Sequence, residues 1–313
     1  KYSKMRRFLF FFFVVNLFLI ACGRKELRND LQQLYLQGEI KQIRTSSYTV
    51  LEKFDQIEKK SKTTERENTL LTFNEKGNQV EKTLFSPTDK PTRIYTYLYD
   101  MKGNRALVNE TLDDGTLKKR YIYTYDDKGN RTEINTYSGD GIFLQKEKRT
   151  YDEKQNPLEE DTYNGKGELE QKQINIYDEK GLCIESNLYT PSGELKNRYT
   201  YSYDENKNML ERKKYDKNGK ILANHTYTYS FDKRKNWTQR IEYLNGKAIY
   251  LTEREIEYGV GAKEQRQPVA QMDTAPQKKF NYTVSVKNDW TAQELKGAVK
   301  TCLLYTSPSP RDS

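Results

Sequence analysis

An aromatic residue that returns every 26 positions constrains this chain more than any other feature of its sequence. The opening aromatic column comprises Phe73, Tyr99, Tyr125, Tyr151, Tyr177 and Tyr203, followed after 28 residues by Phe231. An asparagine or aspartate follows each member, namely Asn74, Asp100, Asp126, Asp152, Asp178, Asp204 and Asp232. A fixed period of this length is typical of repeated supersecondary units. We therefore expect residues 67–258 to form seven similar units.

A second aromatic column stands twelve residues after the first. It comprises Phe85, Tyr137, Tyr163, Tyr189, Tyr215 and Tyr243, with Thr111 in the remaining unit. Between the turns the residues alternate, so that Tyr121, Tyr123 and Tyr125 share one face of an extended strand. Each unit is therefore predicted to contain two strands and two turns, which gives about fourteen strands of ordinary length.

Antiparallel sheets with that many strands tend to curl. The sequence predicts an all-β fold in which tandem β-hairpins form an elongated, twisted antiparallel sheet or a β-solenoid-like array. In such an array each unit contacts mainly its neighbours and the ends need caps. Residues 38–66 are the predicted N-terminal cap, because residues 39–43 alternate like a strand and a charged loop follows them.

The column of acidic and amide residues permits two interpretations. Its members could be calcium ligands, but calcium also requires a bidentate carboxylate and several converging oxygens. An Asp or Asn at the start of a turn instead accepts hydrogen bonds from the backbone about two residues further on. The spacing favours this turn-forming role, and no metal site is predicted.

The aromatic columns also permit two interpretations. Tyrosine rings could stack on sugars, yet in a sheet with few aliphatic residues they are the main hydrophobic material available for packing. Tyrosine can pack its ring while its hydroxyl stays in contact with water. We favour the packing role and keep a binding role open.

Catalytic and metal chemistry would have few residues to use in the repeat body. His225 is the only histidine of the chain, and Cys183 is the only cysteine between the two terminal segments. Cys/His metal sites are therefore excluded there, and a Ser-His-Asp or Cys-His site would depend on that single histidine. We expect a non-enzymatic body that has no cofactor.

The N-terminus resembles a bacterial lipoprotein signal. A positive segment, Met5-Arg6-Arg7, precedes a largely apolar run of thirteen residues at 8–20, which is too short to span a bilayer as a helix. The sequence Leu19-Ile20-Ala21-Cys22 then resembles a lipobox, in which the cysteine sulfur takes a diacylglycerol. Residues 1–21 are the predicted upstream and signal segment, Cys22 the lipid anchor, and residues 22–37 a tether. This predicts a location in the cell envelope, at the outer membrane. It leaves open whether the protein faces the periplasm or the outside of the cell.

The C-terminal region departs from the repeat. Residues 259–277 are rich in Gly, Pro, Ala and Gln, as linkers are. Residues 278–301 predict a strand and then a helix, which is either the start of a second domain or a short terminal element. Residues 302–313 begin with Cys-Leu-Leu-Tyr-Thr-Ser, which matches a translated sequencing adapter. We treat them as an artefact, the alternative being a natural Ser/Pro-rich tail.

The charge balance argues against a nucleic-acid partner. Setting aside the terminal segments removes five basic residues and one acidic residue, so the net charge falls from +9 to +5. Both signs are interleaved along the remaining chain, whereas nucleic-acid binding usually requires one concentrated basic face.

The units resemble known repeat families. Tyr125-Asp126-Asp127-Lys128-Gly129-Asn130 is similar to the YD repeats of the Rhs family, and the Tyr-x-x-x-Gly-x-Leu halves are similar to a MORN-type variant. Together with the lipobox, residues 38–258 most resemble repeat lipoproteins of Bacteroidetes-type bacteria. The resemblance implies an architecture but no activity. Seven units are fewer than Rhs shells use, so an enclosed toxin cargo is not expected.

Three functions remain open from the sequence. The first is a binding or structural scaffold in the envelope, whose partner is a glycan or an envelope protein. The second is a carrier for an enzyme or effector domain that comes after residue 301. The third is a spacer between another module and the membrane. The sequence leaves the oligomeric state open.

Overall fold

The computed structural model describes residues 29–54 and 56–259, which form one short helix and one large antiparallel sheet. The helix is α1 (Asp30–Gln33). The strands are β1 (Ile40–Lys53), β2 (Gln56–Lys62), β3 (Thr69–Phe73), β4 (Gln79–Phe85), β5 (Pro91–Tyr99), β6 (Arg105–Leu112), β7 (Leu117–Tyr125), β8 (Arg131–Ser138), β9 (Phe143–Tyr151), β10 (Pro157–Asn164), β11 (Leu169–Tyr177), β12 (Cys183–Tyr189), β13 (Leu195–Tyr203), β14 (Met209–Tyr215), β15 (Ile221–Phe231), β16 (Trp237–Leu244) and β17 (Lys247–Tyr258).

The turns after the opening aromatic column share one hydrogen-bond pattern. In the turn between β7 and β8, Asp126 N donates to Asn130 O at 2.9 Å, and Gly129 adopts a φ of +80°, which suits glycine. The Asp126 carboxylate accepts bonds from Lys128 N at 3.0 Å and Asn130 N at 2.8 Å. The other members of this column also accept backbone N–H bonds within their own turns.

The sheet closes on itself. β1 pairs with β3 on one side and with β17 on the other, while each strand from β3 to β16 pairs with the next one. These pairings form a closed barrel of 16 strands, and β2 is an extra strand that pairs with the second half of β1. The prediction of an open twisted sheet or a solenoid-like array is therefore wrong.

Bulges give the physical reason for closure. The register shifts at both ends of a typical hairpin, for example between Thr124 and Tyr125 and between Thr136 and Tyr137. Each bulge bends its strand and increases the local twist, so regular bulges add curvature of one sign. β1, the main part of the predicted cap, then pairs with both ends of the curved sheet. The interpretation of the body as a free-standing YD-, Rhs- or MORN-type β-hairpin array is accordingly wrong.

The two faces of the sheet differ in exposure. In β7, Lys118 and Thr124 are exposed, whereas the alternating Tyr121, Tyr123 and Tyr125 are partly buried. The same alternation recurs in β13 and β15, with the tyrosines on the less exposed face. This face turns inward, and we call it the lumen face. The opposite face turns outward, and we call it the outer face.

A segment before β1 covers one end of the barrel. We call residues 29–37 the plug segment. Its Leu31 and Leu36 are buried against Ile43 and Phe73 in a cluster that also includes Ile40. The plug segment bonds to turns of separate hairpins, through Leu31 N to Gly77 O and Gln37 N to Asn236 Oδ1. Part of the predicted tether is thus a packed element of the fold.

The part of the chain that the structure describes contains no helix with the length and hydrophobicity required for a membrane span.

Candidate functional site: the barrel lumen

The opening aromatic column lies on the lumen face. Each of its tyrosine hydroxyls donates a hydrogen bond to the backbone carbonyl twenty residues earlier, at 2.6 to 2.9 Å. The pairs are Tyr99–Gln79, Tyr125–Arg105, Tyr151–Arg131, Tyr177–Pro157 and Tyr203–Cys183. In the last unit Tyr229, not Phe231, makes the equivalent bond, to Met209 O. Phe73 instead packs under the plug segment.

The second aromatic column lies mainly on the outer face. Tyr163 is paired with Lys146 and lies near Lys148, whose ammonium is 5.9 Å from the ring centroid. Tyr215 lies under the guanidinium of Arg198 at 4.1 Å, and Phe85 lies under that of Arg44 at 3.7 Å. The remaining members are Tyr137, Tyr189 and Tyr243, which pair with Arg120, Lys172 and Thr226. The structure therefore places the two predicted columns on opposite faces.

Guanidinium groups lie over the inward tyrosines. Arg105 lies 4.5 Å from the ring centroid of Tyr97, and Arg131 lies 5.5 Å from that of Tyr123. Such stacking stabilises a cation where water is partly excluded. Burial raises the pKa of Tyr97 to about 12, so its hydroxyl stays protonated and remains a donor at neutral pH.

Carboxylates also line the lumen. Glu110 is almost fully buried and accepts a hydrogen bond from the Tyr121 hydroxyl at 2.7 Å. Glu160 pairs with Arg149 across β9 and β10. Burial, and then the neighbouring charge of Glu160, raise the pKa of Glu147. The lumen face therefore combines aromatic rings, hydrogen-bond donors and acceptors of both charges.

A buried ionic group lies at the barrel end opposite the plug segment. Arg66, in the loop before β3, donates to both oxygens of Glu242, at 2.9 and 2.6 Å. His225 Nδ1 lies 2.8 Å from the same carboxylate. Burial alone would raise the pKa of Glu242, but the hydrogen bonds and charge of Arg66, helped by His225, lower it on balance. The single histidine therefore holds a structural carboxylate.

The Asp and Asn column lies in turns, and within residues 29–54 and 56–259 no group of three or more His, Cys, Asp or Glu side chains could hold a metal ion. Cys22, the signal segment and residues 260–313 lie outside the described residues. The lumen arginines do not stand out in the sequence by themselves. Arg105 and Arg131 pair with the inward Tyr99 and Tyr125, so the strand alternation would have placed them on the same face.

Comparison with known proteins gives structural neighbours only. No protein-family model matches the chain, and no curated protein matches it. The chain is similar to a porin-like protein from Bacteroides uniformis, with a TM-score of 0.46, 12% identity, and coverage of 71% of this chain and 98% of that one. A porin-like protein from Bacteroides vulgatus gives a TM-score of 0.35, 11% identity and coverage of 71% and 99%.

A third likeness is to the solved structure of TcdB2-TccC3-Cdc42. Its TM-score is 0.28 at 16% identity, and the match covers 66% of this chain but 11% of that one. Because these scores and identities are low, the likenesses support no conclusion about function. A closed antiparallel β-barrel is compatible with the predicted place in the cell envelope.

Proposed function

We propose that this protein is a non-enzymatic, lipid-anchored envelope protein whose barrel stands in water and binds a polar ligand of the glycan class on its lumen face. The observation that carries the proposal is the contrast between the faces. Tyrosines, arginines and carboxylates lie on the lumen face, whereas charged cross-strand pairs lie on the outer face.

The number of strands supports an accessible lumen. Barrels of about eight strands are filled by their own side chains, whereas barrels of about 16 leave an aqueous interior. The lumen side chains retain partial exposure, at 19% for Arg149, 25% for Glu147 and 27% for Glu160. A ligand entering this space would meet polar groups that are already in place.

The chemistry of the lumen face suits a hydroxyl-rich ligand. Tyrosine rings offer flat apolar surface, and their hydroxyls offer a polar edge. Guanidinium groups donate hydrogen bonds and carboxylates accept them, so both functions of a sugar hydroxyl can be matched. This retains the binding role that the sequence left open for the opening column and adds the inward arginines and carboxylates to it.

The outer face argues against a lipid-spanning pore. A transmembrane barrel carries an outward apolar band about 25 Å tall, and a lysine or arginine at its midplane costs about 2–4 kcal/mol. Outward positions here include Lys148, which is 52% exposed, and Lys172, which pairs with Glu159 at 2.7 Å. A lipid on Cys22 would instead tether a water-exposed barrel to the membrane.

Titration of the full chain with soluble cell-wall glycan fragments, followed by calorimetry, tests this proposal. Tyr123→Ala and Tyr201→Ala remove inward rings, and we expect each to weaken binding about tenfold or more. Tyr163→Ala removes an outward ring and is the matched control, with unchanged affinity expected. Equal losses for inward and outward variants, or no glycan binding at all, would contradict lumen binding and would favour an envelope protein as partner.

The carrier and spacer functions remain predictions. The carrier prediction depends on residues 278–301, which lie outside the described residues.

A further inference from the structure

A cavity of about 570 Å³ lies between the plug segment and the barrel wall. The plug contributes residues 34–37, two turns contribute residues 205–208 and 234–236, and the wall contributes Tyr229, Trp237, Arg240 and Arg254. A volume of this size falls within the range of small-molecule sites. We call this cavity the plug pocket.

Two arginines in the plug pocket share one aromatic ring. The guanidinium of Arg254 lies 3.5 Å from the ring centroid of Trp237, and that of Arg240 lies 5.3 Å from it. Tyr229 meets the same indole edge-on, with ring centroids 6.0 Å apart. These contacts with Trp237 restrict both guanidinium groups before a ligand arrives.

Neither arginine has a carboxylate partner among the described residues. The ion pairs of residues 29–54 and 56–259 include Arg66, Arg105 and Arg149 but neither Arg240 nor Arg254. The Nε atoms of Arg240 and Arg254 are buried without a hydrogen-bond partner. Burial, and then the charge of Arg240, lower the pKa of Arg254 to about 9. Cations removed from water are normally paired with carboxylates, so two partly buried guanidinium groups that lack one mark a candidate binding site.

The rest of the pocket lining adds positive charge. Lys207, Arg234 and Lys235 also line it, and Glu205 is the one acidic residue in the lining that the structure describes. With Arg240 and Arg254, the lining therefore holds five basic residues against one acidic residue. Such an excess is complementary to a ligand that carries more than one negative charge.

We propose that the plug pocket binds a phosphoryl group, either as inorganic phosphate or as a phosphate monoester on a saccharide, through the guanidinium groups of Arg240 and Arg254. Arginine presents a planar fork of donors that matches two phosphate oxygens at once. The inference deepens the proposed function and rests on it, since it takes the lumen as the ligand-binding surface.

The test is calorimetric titration of the full chain with inorganic phosphate and, separately, with acetate. We expect phosphate to bind at least tenfold more tightly than acetate. Arg254→Gln and Arg240→Gln should each weaken phosphate binding at least tenfold. Arg120→Gln is the matched control, because Arg120 lies on the outer face next to Asn109, and it should leave the affinity unchanged.

Three results would overturn the inference: no phosphate binding at millimolar concentration, acetate binding as tight as phosphate, or equal affinities for Arg254→Gln and Arg120→Gln. Circular dichroism checks the fold of each variant. If Arg254→Gln fails to fold, Arg254→Lys keeps the charge but loses the planar fork, and it should still weaken phosphate binding severalfold. Unchanged binding in that variant would equally overturn the inference.

Further titrations identify the source of the phosphoryl group and separate the two proposals. If a hexose phosphate binds more tightly than both inorganic phosphate and the plain hexose, the ligand is a phosphosugar. Equal binding of hexose phosphate and inorganic phosphate assigns the free anion.

Binding of neutral glycans tests the lumen face at Tyr123, which lies on β7 outside the plug pocket. Glycan binding without phosphate binding would reject the pocket inference alone, and phosphate binding without glycan binding would reject the glycan proposal alone.

Discussion

At the scale of single residues, the inward tyrosines are hydrogen-bonding groups as much as packing groups. Tyr125 spans from β7 to the first residue of β6, where its hydroxyl donates to Arg105 O at 2.8 Å. This bond recurs with a separation of twenty residues, so it ties neighbouring hairpins at the same height of the barrel. It also satisfies a carbonyl next to a bulge, where the regular ladder is interrupted.

Removal of one such hydroxyl gives a measurable prediction. Tyr125→Phe keeps the ring but leaves the Arg105 carbonyl without this donor, and we expect it to lower the free energy of unfolding by about 1 kcal/mol. Urea denaturation measures the change. Tyr189→Phe, on the outer face, is the control and should change stability by less than about 0.5 kcal/mol. Equal losses in the two variants would mean that the inward bond contributes nothing specific.

The carboxylate of Glu242 gives a prediction about pH. Its pKa is lowered in the folded protein, so its contribution to stability is present above the unfolded value of about 4.3 and is lost as pH falls through the lower folded value. Glu242→Gln should therefore lower stability at pH 7 by on the order of 2 kcal/mol. In urea denaturation, the difference from the parent protein should shrink below about pH 4. A difference that is constant from pH 7 to pH 3 would contradict this account.

At the scale of elements, the plug segment depends on one carboxylate. Asp30, at the start of α1, accepts hydrogen bonds from Gln79 N at 2.8 Å and from Arg105 at 2.9 Å, and its carboxylate also contacts the Tyr99 hydroxyl oxygen. A four-residue helix is too short to be stable alone. These bonds and the burial of Leu31 and Leu36 therefore hold the plug in place.

Asp30→Ala should loosen the plug segment without unfolding the barrel. The substitution removes the carboxylate partner of Arg105, so local opening becomes easier. Hydrogen exchange should show at least about tenfold faster exchange of the Leu31 and Leu36 amides, whose bonds to Gly77 O and Leu31 O would break on opening. Asp127→Ala, in an exposed turn position, is the control. Unchanged exchange in Asp30→Ala would show that the apolar contacts alone hold the plug.

Local elements could be predicted from the sequence because their causes are local. The tyrosine alternation in β7 and the Asp126 turn depend on residues close in the chain, and both occur where the pattern places them. β2 lies where the sequence predicts a charged loop, because Gln56–Lys62 contains few apolar residues. Its pairing with β1 supplies backbone hydrogen bonds that do not require apolar side chains.

At the scale of the whole molecule, closure could not be predicted from the same pattern. It depends on pairing between β1 and β17, where Ile43 lies opposite Ile256 although more than two hundred residues separate them. Whether the two edges of the sheet meet depends on the total curvature that the bulges produce. That total cannot be read from the repeat period of the sequence. The plug pocket was missed for the same reason, since closure brings residues 34–37 to Arg240 and Arg254.

The orientation of the faces decides between a water-exposed barrel and a lipid-embedded one. Cysteines introduced at Lys148 and Thr228, two exposed positions on the outer face, would each carry a fluorophore in a Cys183→Ser, Cys302→Ser background in which the proposed lipid blocks the thiol of Cys22. The full-length protein would be bound to lipid vesicles, and quenching by aqueous iodide would be compared with quenching by a label on the lipid chains. The account predicts strong iodide quenching and no lipid-chain quenching at both positions. Lipid-chain quenching with protection from iodide would contradict it and would place the outer face in the bilayer.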